Sequence, residues 1–322
     1  MTGLPSLAQI RDARSVIAGS AIRTPLVRLN TQETPAEIYL KLENLQPIGS
    51  FKIRGATNAI GQMTADQLAD GVVTASAGNM AQGVASRARE LGIRCTIIAP
   101  DSTPETKLKA IQRLGGQVIK VTYEEWWKAF EQRSFPGVEG AFIHAFDDPH
   151  VMAGNGTIGL EILEDLPDVD AVVIPWGGGG LTCGIAVALR ALRPSCRVFA
   201  AEVATAAPLG VSLAAGAPQQ VEYETSFVDG IGARSVFPQM LERAQMLIDG
   251  ALAADLDGVA RALRLMAEHN RVIAEGAGAC PVACALAGKA GVGRVVCIVS
   301  GGNIDFGKLC TILTDGAKTG GF

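Results

Sequence analysis

Lys52 opens a stretch, Ser50-Phe51-Lys52-Ile53-Arg54-Gly55-Ala56, whose residue types predict a helix capped by Ser50 with the lysine in its first turn. An ammonium is disfavoured at the positive end of a helix dipole, so its pKa falls and a neutral amine becomes free to attack a carbonyl. Far along the chain, Gly177-Gly178-Gly179-Gly180 stands between the apolar run Ala171–Trp176 and the small-residue run Leu181–Leu189, a strand, a turn and a helix start. Four residues without Cβ atoms let successive amides converge at the helix N-terminus, and the natural guest there is a phosphate. A third stretch, Ser76-Ala77-Gly78-Asn79-Met80, follows an apolar run and opens a helix, so its hydroxyl, amide and backbone N–H groups suit a carboxylate. Ser300-Gly301-Gly302-Asn303 ends the last apolar run, placing a serine where an open sheet exposes side chains to a cleft. Taken singly, each has a plain alternative: an exposed helix lysine, or a turn without a ligand.

The elements that must position these groups alternate as strand and helix. A helix around Ser6–Ala18 leads through the extended Ile22–Leu29 to a strand, Glu37–Glu43, and then to the lysine helix. Strands at Val72–Ser76, Cys95–Ala99 and Gln117–Val121 are followed by helices at Ala81–Leu91, Glu105–Leu114 and Glu124–Gln132. After Asp147-Asp148-Pro149 a second series begins, with helix Gly156–Glu164, the strand and helix around the glycines, and strand Val198–Ala201. Helices Leu256–Glu268 and Pro281–Ala290 and the strand Arg294–Val299 follow, while Ala204–Ala217 and Ala251–Ala262 read as helices and loops. The expected class is a two-lobed α/β fold with parallel sheets wrapped by helices. Its lobes are assigned as 1–63 with 147–322, the large one, and 64–146, the small one.

Composition narrows the partners. A net charge of −4 with interspersed signs leaves no basic stripe for nucleic acid, and no apolar run is long enough for a membrane span. A small molecule is the expected partner. The N-terminus lacks the basic and apolar blocks of a signal peptide, so a cytoplasmic location is expected. Seven cysteines without a Cys-x-x-Cys pair read as reduced thiols, and three histidines support no zinc cluster. Gly154-x-Gly156-x-x-Gly159 matches a dinucleotide spacing, but no strand precedes it and the tetraglycine stands where the ribose-binding acid belongs.

Taken together, the Pro47–Ala56 stretch, Ser76–Asn79, Gly177–Gly180, Glu275-Gly276-Ala277-Gly278 and Ser300–Asn303 closely resemble the fold type II pyridoxal-phosphate enzymes, in the serine/threonine dehydratase and serine racemase branch. The resemblance runs from about Thr24 to Asp305. It implies that Lys52 carries the cofactor as a Schiff base and that Gly177, Gly178, Gly179, Gly180 and Leu181 hold its phosphate. It also implies that Asn79 contacts the ring hydroxyl, Ser300 faces the pyridine nitrogen and Glu275 lies near the ring. The substrate carboxylate is then received by Ser76, Ala77, Gly78, Asn79 and Met80. The implied reaction releases ammonia and a 2-oxo acid from a β-hydroxy amino acid such as L-threonine or L-serine. A homodimer or homotetramer is implied as well.

Departures from the branch refine this expectation. Racemases of the branch place a second serine where Ala77 stands, which argues against racemisation. Met80 replaces a common histidine and Trp176 is larger than usual before the glycines, so a dehydratase for a bulkier or acidic substrate, such as phenylserine or 3-hydroxyaspartate, is the alternative. A catalytically silent binding protein is the other. Trp176 either narrows the cleft or packs in the core, while Trp126 and Trp127 read as packing. The branch's cation site matches at Glu202, but its second acid is replaced by Pro208, so a mono- or divalent cation rests on Glu202 alone. The chain stopping soon after Ser300 leads to the expectation that no C-terminal regulatory domain, and no isoleucine control through one, is present.

Overall fold

The computed structural model describes residues 3–32 and 34–315. Helix α1 (Leu7–Ile17) starts at a reciprocal cap in which the Ser6 hydroxyl accepts the Gln9 amide and the Gln9 side chain accepts the Ser6 amide. Strands β1 (Leu26–Arg28) and β2 (Glu37–Lys41) lead to α2 (Lys52–Gly61). Next come β3 (Val72–Ala75), α3 (Asn79–Leu91), β4 (Cys95–Pro100), α4 (Glu105–Arg113), β5 (Gln117–Val121), α5 (Tyr123–Gln132) and the short β6 (Ala141–Phe142). Helix α6 (Pro149–Asp165) is capped by Asp148, whose carboxylate accepts the amides of His150 and Val151 at 2.7 and 3.1 Å. The second half runs β7 (Ala171–Pro175), α7 (Gly180–Leu192), β8 (Arg197–Val203), α8 (Pro208–Ala215), α9 (Pro238–Leu247), β9 (Gly250–Ala254), α10 (Leu256–Leu265), α11 (Gly276–Leu286), β10 (Arg294–Ile298) and α12 (Phe306–Asp315).

Two sheets result. One has the order β1-β2-β10-β7-β8-β9 and is parallel except for β1, which pairs antiparallel with β2. The other, β5-β4-β3-β6, is wholly parallel and contains only strands between residues 72 and 142. Parallel strands buried on both faces need continuous apolar runs, and β7, with every residue buried, is one. Helices α2 and α6 pack together between the sheets, and α2 also carries α3 on its other side.

Several elements differ from the sequence expectation. Ser50 does not cap α2: Phe51 holds the cap position, and Ser50 sits in an antiparallel bridge to Gly301 with its buried hydroxyl unpartnered. The expected helix Pro281–Ala290 is α11, which starts earlier and carries Pro281 inside it, since a proline favoured at helix starts is tolerated here in a helix held by its buried surroundings. Ala251–Ala262 contains strand β9, whose small residues pair with β8, before α10 begins. Helix α6 starts at Pro149 rather than Gly156, so the dinucleotide-like glycines lie inside a helix. There they serve close packing, because a Cβ on Gly156 would come within 2.8 Å of the Gly184 carbonyl on α7. All seven cysteines are free.

Beneath α2 lies a buried charge cluster. Arg54 donates to both Glu43 oxygens at 2.8 and 2.9 Å and to both Glu161 oxygens at 2.6 and 2.9 Å. Lys41 donates to Glu161 at 2.5 Å and to the Thr24 carbonyl at 2.7 Å, while the Thr24 hydroxyl donates to Glu43 at 2.6 Å. Burial opposes charge on Glu43, yet Arg54 and the Thr24 hydroxyl hold its carboxyl below the ordinary range. Two residues from Lys52, this network fixes the helix that carries it.

Candidate active site

A cavity of about 850 Å³ opens where open parallel sheets place ligands, beyond the carboxyl ends of β3 and β7. It is lined by Ser76 after β3, by Ala145 and Phe146 after β6, and by Gly177 and Gly178 after β7. Lys52, the first residue of α2, borders it: its Nζ donates to the Ala145 carbonyl at 2.8 Å. Burial pushes the Lys52 amine down to about 8, against the pull of the Glu275 carboxylate. A neutral amine is therefore present in quantity near pH 8.

The glycine loop combines two geometries. Gly179 caps α7 at φ 89°, in the left-handed region that favours glycine, and no side chain caps the helix. Gly178 and Gly180 permit close approach, since a Cβ on the first would overlap the Phe146 ring and on the second would lie 2.6 Å from the Phe146 carbonyl. Trp176 is only 2% exposed and packs in the large-sheet core beneath the loop, which decides for core packing over narrowing of the cleft.

On the other side stands a chain of amides and a carboxyl. Asn79 donates to Glu275 at 2.9 Å and accepts from Asn303 at 2.8 Å, and Asn303 also donates to the Ile48 carbonyl at 2.8 Å. Burial pushes Glu275 up to about 7, with Asp229 adding to the effect and Asn79, Lys107 and Lys52 opposing it. Ser300, buried at the end of β10, accepts the Phe51 amide on its carbonyl at 3.0 Å, and Gly301 accepts the Glu275 amide at 3.0 Å. One strand end thus ties the start of α2 to the start of α11.

In the third loop, the Ser76 hydroxyl accepts the Gly78 amide at 3.3 Å, and Gly78 takes the cap position of α3 with no side-chain cap. Open space surrounds the place where a Gly78 side chain would stand. The Met80 side chain is buried with Ala56, Ile60 and Val84 in the small-sheet core rather than in the cavity wall. Ala77 carries a methyl group where an acid or base is absent. Glu202 lies apart from these groups: its oxygens accept the amides of Leu209 and Gly210 at 2.7 and 2.9 Å, capping α8. Among the described residues, no three His, Cys, Asp or Glu side chains cluster as metal ligands.

Comparison with known proteins agrees with this geometry. Residues 17–301 match the family model described as pyridoxal-phosphate dependent enzyme. The chain belongs to this family. An L-threonine ammonia-lyase of Thermotoga maritima is 39% identical over 322 residues, covering 98% of this chain and 80% of that relative. The structure of maize serine racemase superposes with a TM-score of 0.89 at 31% identity, covering 95% of this chain and 96% of that one. Processed threonine deaminase isoform 2 from Solanum lycopersicum gives 0.85 at 33% identity, covering 99% and 96%.

The residues present fit pyridoxal phosphate. An uncapped helix start at the cavity suits its anionic tail, a lysine of lowered pKa suits its aldehyde, and the buried Ser50 hydroxyl is left without a partner near the Ser300 strand end. Three contributors escaped the sequence reading. The Ala145 carbonyl carries no type-specific signal, and Asn303 stands in the Ser300–Asn303 motif with no role of its own assigned to it. The third is His144, buried and pushed down to about 3 by burial, which stays neutral while its Nδ1 accepts the Asp147 amide at 2.8 Å and shapes the turn holding Ala145. Trp126 and Trp127, expected as packing alone, line the cavity as well, because α5 faces the glycine loop across the cleft.

Proposed function

We propose that this chain is a pyridoxal-phosphate-dependent ammonia-lyase that converts a β-hydroxy amino acid such as L-threonine or L-serine to a 2-oxo acid and ammonia. The observation that carries it is a half-buried lysine, lowered to about 8 and bonded to a carbonyl rather than a carboxylate, at the cavity that the uncapped glycine loop lines. The relatives named above for threonine support the same substrate class. Bound pyridoxal phosphate supplies an electron sink for the bonds of the α-carbon.

Each residue then has a task. Lys52 holds the cofactor and, once free as an amine, removes the α-proton. The amides of Gly177, Gly178, Gly179, Gly180 and Leu181 would hold the phosphate, while Ser76, Ala77, Gly78, Asn79 and Met80 would receive the substrate carboxylate through hydroxyl and backbone N–H groups. Asn79, steadied by Asn303 and Glu275, faces the ring hydroxyl. Ser300 would offer the pyridine nitrogen a hydroxyl, too weak an acid to protonate it, so the bound group would be a weaker electron sink than one facing a carboxylate, which favours loss of the β-hydroxyl. With only a methyl, Ala77 has no proton to give or take at its position, which favours elimination over racemisation.

A cation at Glu202 would have to draw that carboxylate off the two amides it now caps. The lobes assigned are 1–63 with 147–322 and 64–146, and the protein acts in the cytoplasm as a homodimer or homotetramer. Oxo-acid release from L-threonine, L-serine and 3-hydroxyaspartate by the cofactor-loaded protein tests the activity, with Lys52→Ala as the blank. Turnover of none of these hydroxy amino acids, or equal turnover by the blank, would sink the proposal.

A further inference from the structure

The cavity holds more aromatic surface than a methyl or hydrogen β-substituent needs. Two of the chain's three tryptophans and two of its three tyrosines line it. Phe130, Phe146 and Phe237 join them, in a chain sparse in aromatic residues. The rings form a continuous wall: Trp126 lies 6.0 Å from Trp127, Trp127 5.8 Å from Phe237, Phe237 5.5 Å from Phe146 and Phe146 5.5 Å from Phe130, centroid to centroid. Phe146, after β6, belongs to this wall and packs against Gly178 of the glycine loop. The aromatic surface is therefore continuous with the place where the cofactor's tail is held.

Phe130 belongs to the small-sheet core and Trp126, Trp127, Phe146 and Phe237 rest against it, yet that packing uses only part of their surface. Trp126 and Trp127 stay half-buried, and Tyr123 and Tyr223 are 61% and 38% exposed. Large apolar surface left open beside a site marks what the site takes. Charge then selects among occupants. The acid in the wall, Asp229, is ion-paired with Lys107 at 2.9 Å, while Arg234 lines the same cavity and Lys52 borders it, so a cationic side chain is opposed. A carboxylate side chain gains Arg234, whose guanidinium lies over the Tyr223 ring at 5.7 Å, but gives up water to a wall that is otherwise mostly ring faces. A neutral planar ring meets neither penalty.

We propose that the preferred substrates of this site are β-hydroxy amino acids whose β-substituent is an aryl ring, with Trp126, Trp127 and Phe237 as specificity-determining residues; this rests on the ammonia-lyase reading above. For 3-phenylserine the α-C–H and β-C–O bonds break, the hydroxyl leaves as water, and one water is taken back as the released enamine hydrolyses. The products are phenylpyruvate and ammonia, with no oxidant or reductant required.

The test compares kcat/KM of the holoenzyme for threo-3-phenylserine and L-threonine, with calorimetric binding of L-phenylalanine, which has the ring but no leaving group. The expected result is a phenylserine value at least about tenfold higher, as ring burial in an apolar pocket gives, and binding of L-phenylalanine. Trp127→Ala is expected to lower the phenylserine-to-threonine ratio at least about tenfold, and Trp127→Phe to restore most of it. Turnover of threonine with no phenylpyruvate formed and no L-phenylalanine bound overturns the aryl assignment and leaves the lyase standing. Turnover of neither substrate overturns both.

Discussion

Two lysines out of bulk water, Lys41 at the end of β2 and Lys52 at the start of α2, are treated in opposite ways. Lys41 is locked against Glu161 at 2.5 Å inside a cluster of two cations and two carboxylates in which each charge has a partner. Lys52 has a carbonyl at 2.8 Å, and Glu275, the acid it feels, is itself raised to about 7. The first arrangement makes charge permanent and the helix immovable. The second leaves an amine and an acid close to their neutral forms, as proton transfer near pH 7 to 8 requires. Rigidity and reactivity are separated by a few residues of one helix.

The contrast breaks most visibly by substituting each lysine in turn. Lys52→Met is expected to cut oxo-acid formation at least about 10³-fold, the loss of base and attachment point together, while unfolding in urea stays at or above the wild-type midpoint because a poorly solvated amine is removed. Lys41→Met and Arg54→Met are expected to do the reverse first. Each leaves two buried carboxylates with a single cation, Arg54→Met stripping Glu43 of its only one, and lowers stability by about 3–5 kcal/mol in denaturant titration. If Lys52→Met unfolds as readily as Lys41→Met, the two lysines are not different in kind.

A smaller effect sharpens the acid side of the comparison. The folded pKa of Glu275, about 7, lies above its ordinary 4.5, so the proton favours folding. That contribution is complete below about pH 4.5 and is lost as pH rises through 7. In cofactor-free protein, Glu275→Gln is therefore expected to gain about 3 kcal/mol on wild type between pH 4.5 and 8. Equal slopes of stability with pH would remove the buried acid from the account. Glu43, held below the ordinary range, should show no such gain at its own Gln variant. Smallest is Asn303→Ala, which frees Asn79 at the cost of the bonds to Asn79 and the Ile48 carbonyl and should raise KM about fivefold more than it lowers kcat.

Much of this site was legible because its chemistry is local. A lysine in a first turn, a glycine run after a strand and a serine at a strand end are short-range patterns, and each stands where its residue types imply. What escaped depends on distance. Arg54 was visible in its motif, but Glu43 and Glu161 reach it from other elements. Trp126 and Trp127 read as packing because their neighbours in the aromatic wall, Phe146 and Phe237, come from remote loops and helices. Apart from Leu252, strand β9 is built of Gly and Ala, which carry little strand propensity, and gains its place by pairing with β8. Ser50 has the type of a cap, but its segment is drawn into a bridge with Gly301, a tertiary contact that overrides local preference.

The central claim is that Lys52, and not the fully buried Lys41, is the free amine. Borohydride reduction of the protein loaded with pyridoxal phosphate, followed by peptide mapping, tests it most directly. Uptake that rises with pH through about 8 and a pyridoxyl group on Lys52 alone is the predicted result. A pyridoxyl group on Lys41, or on an exposed lysine with Lys52 unmodified, would contradict it.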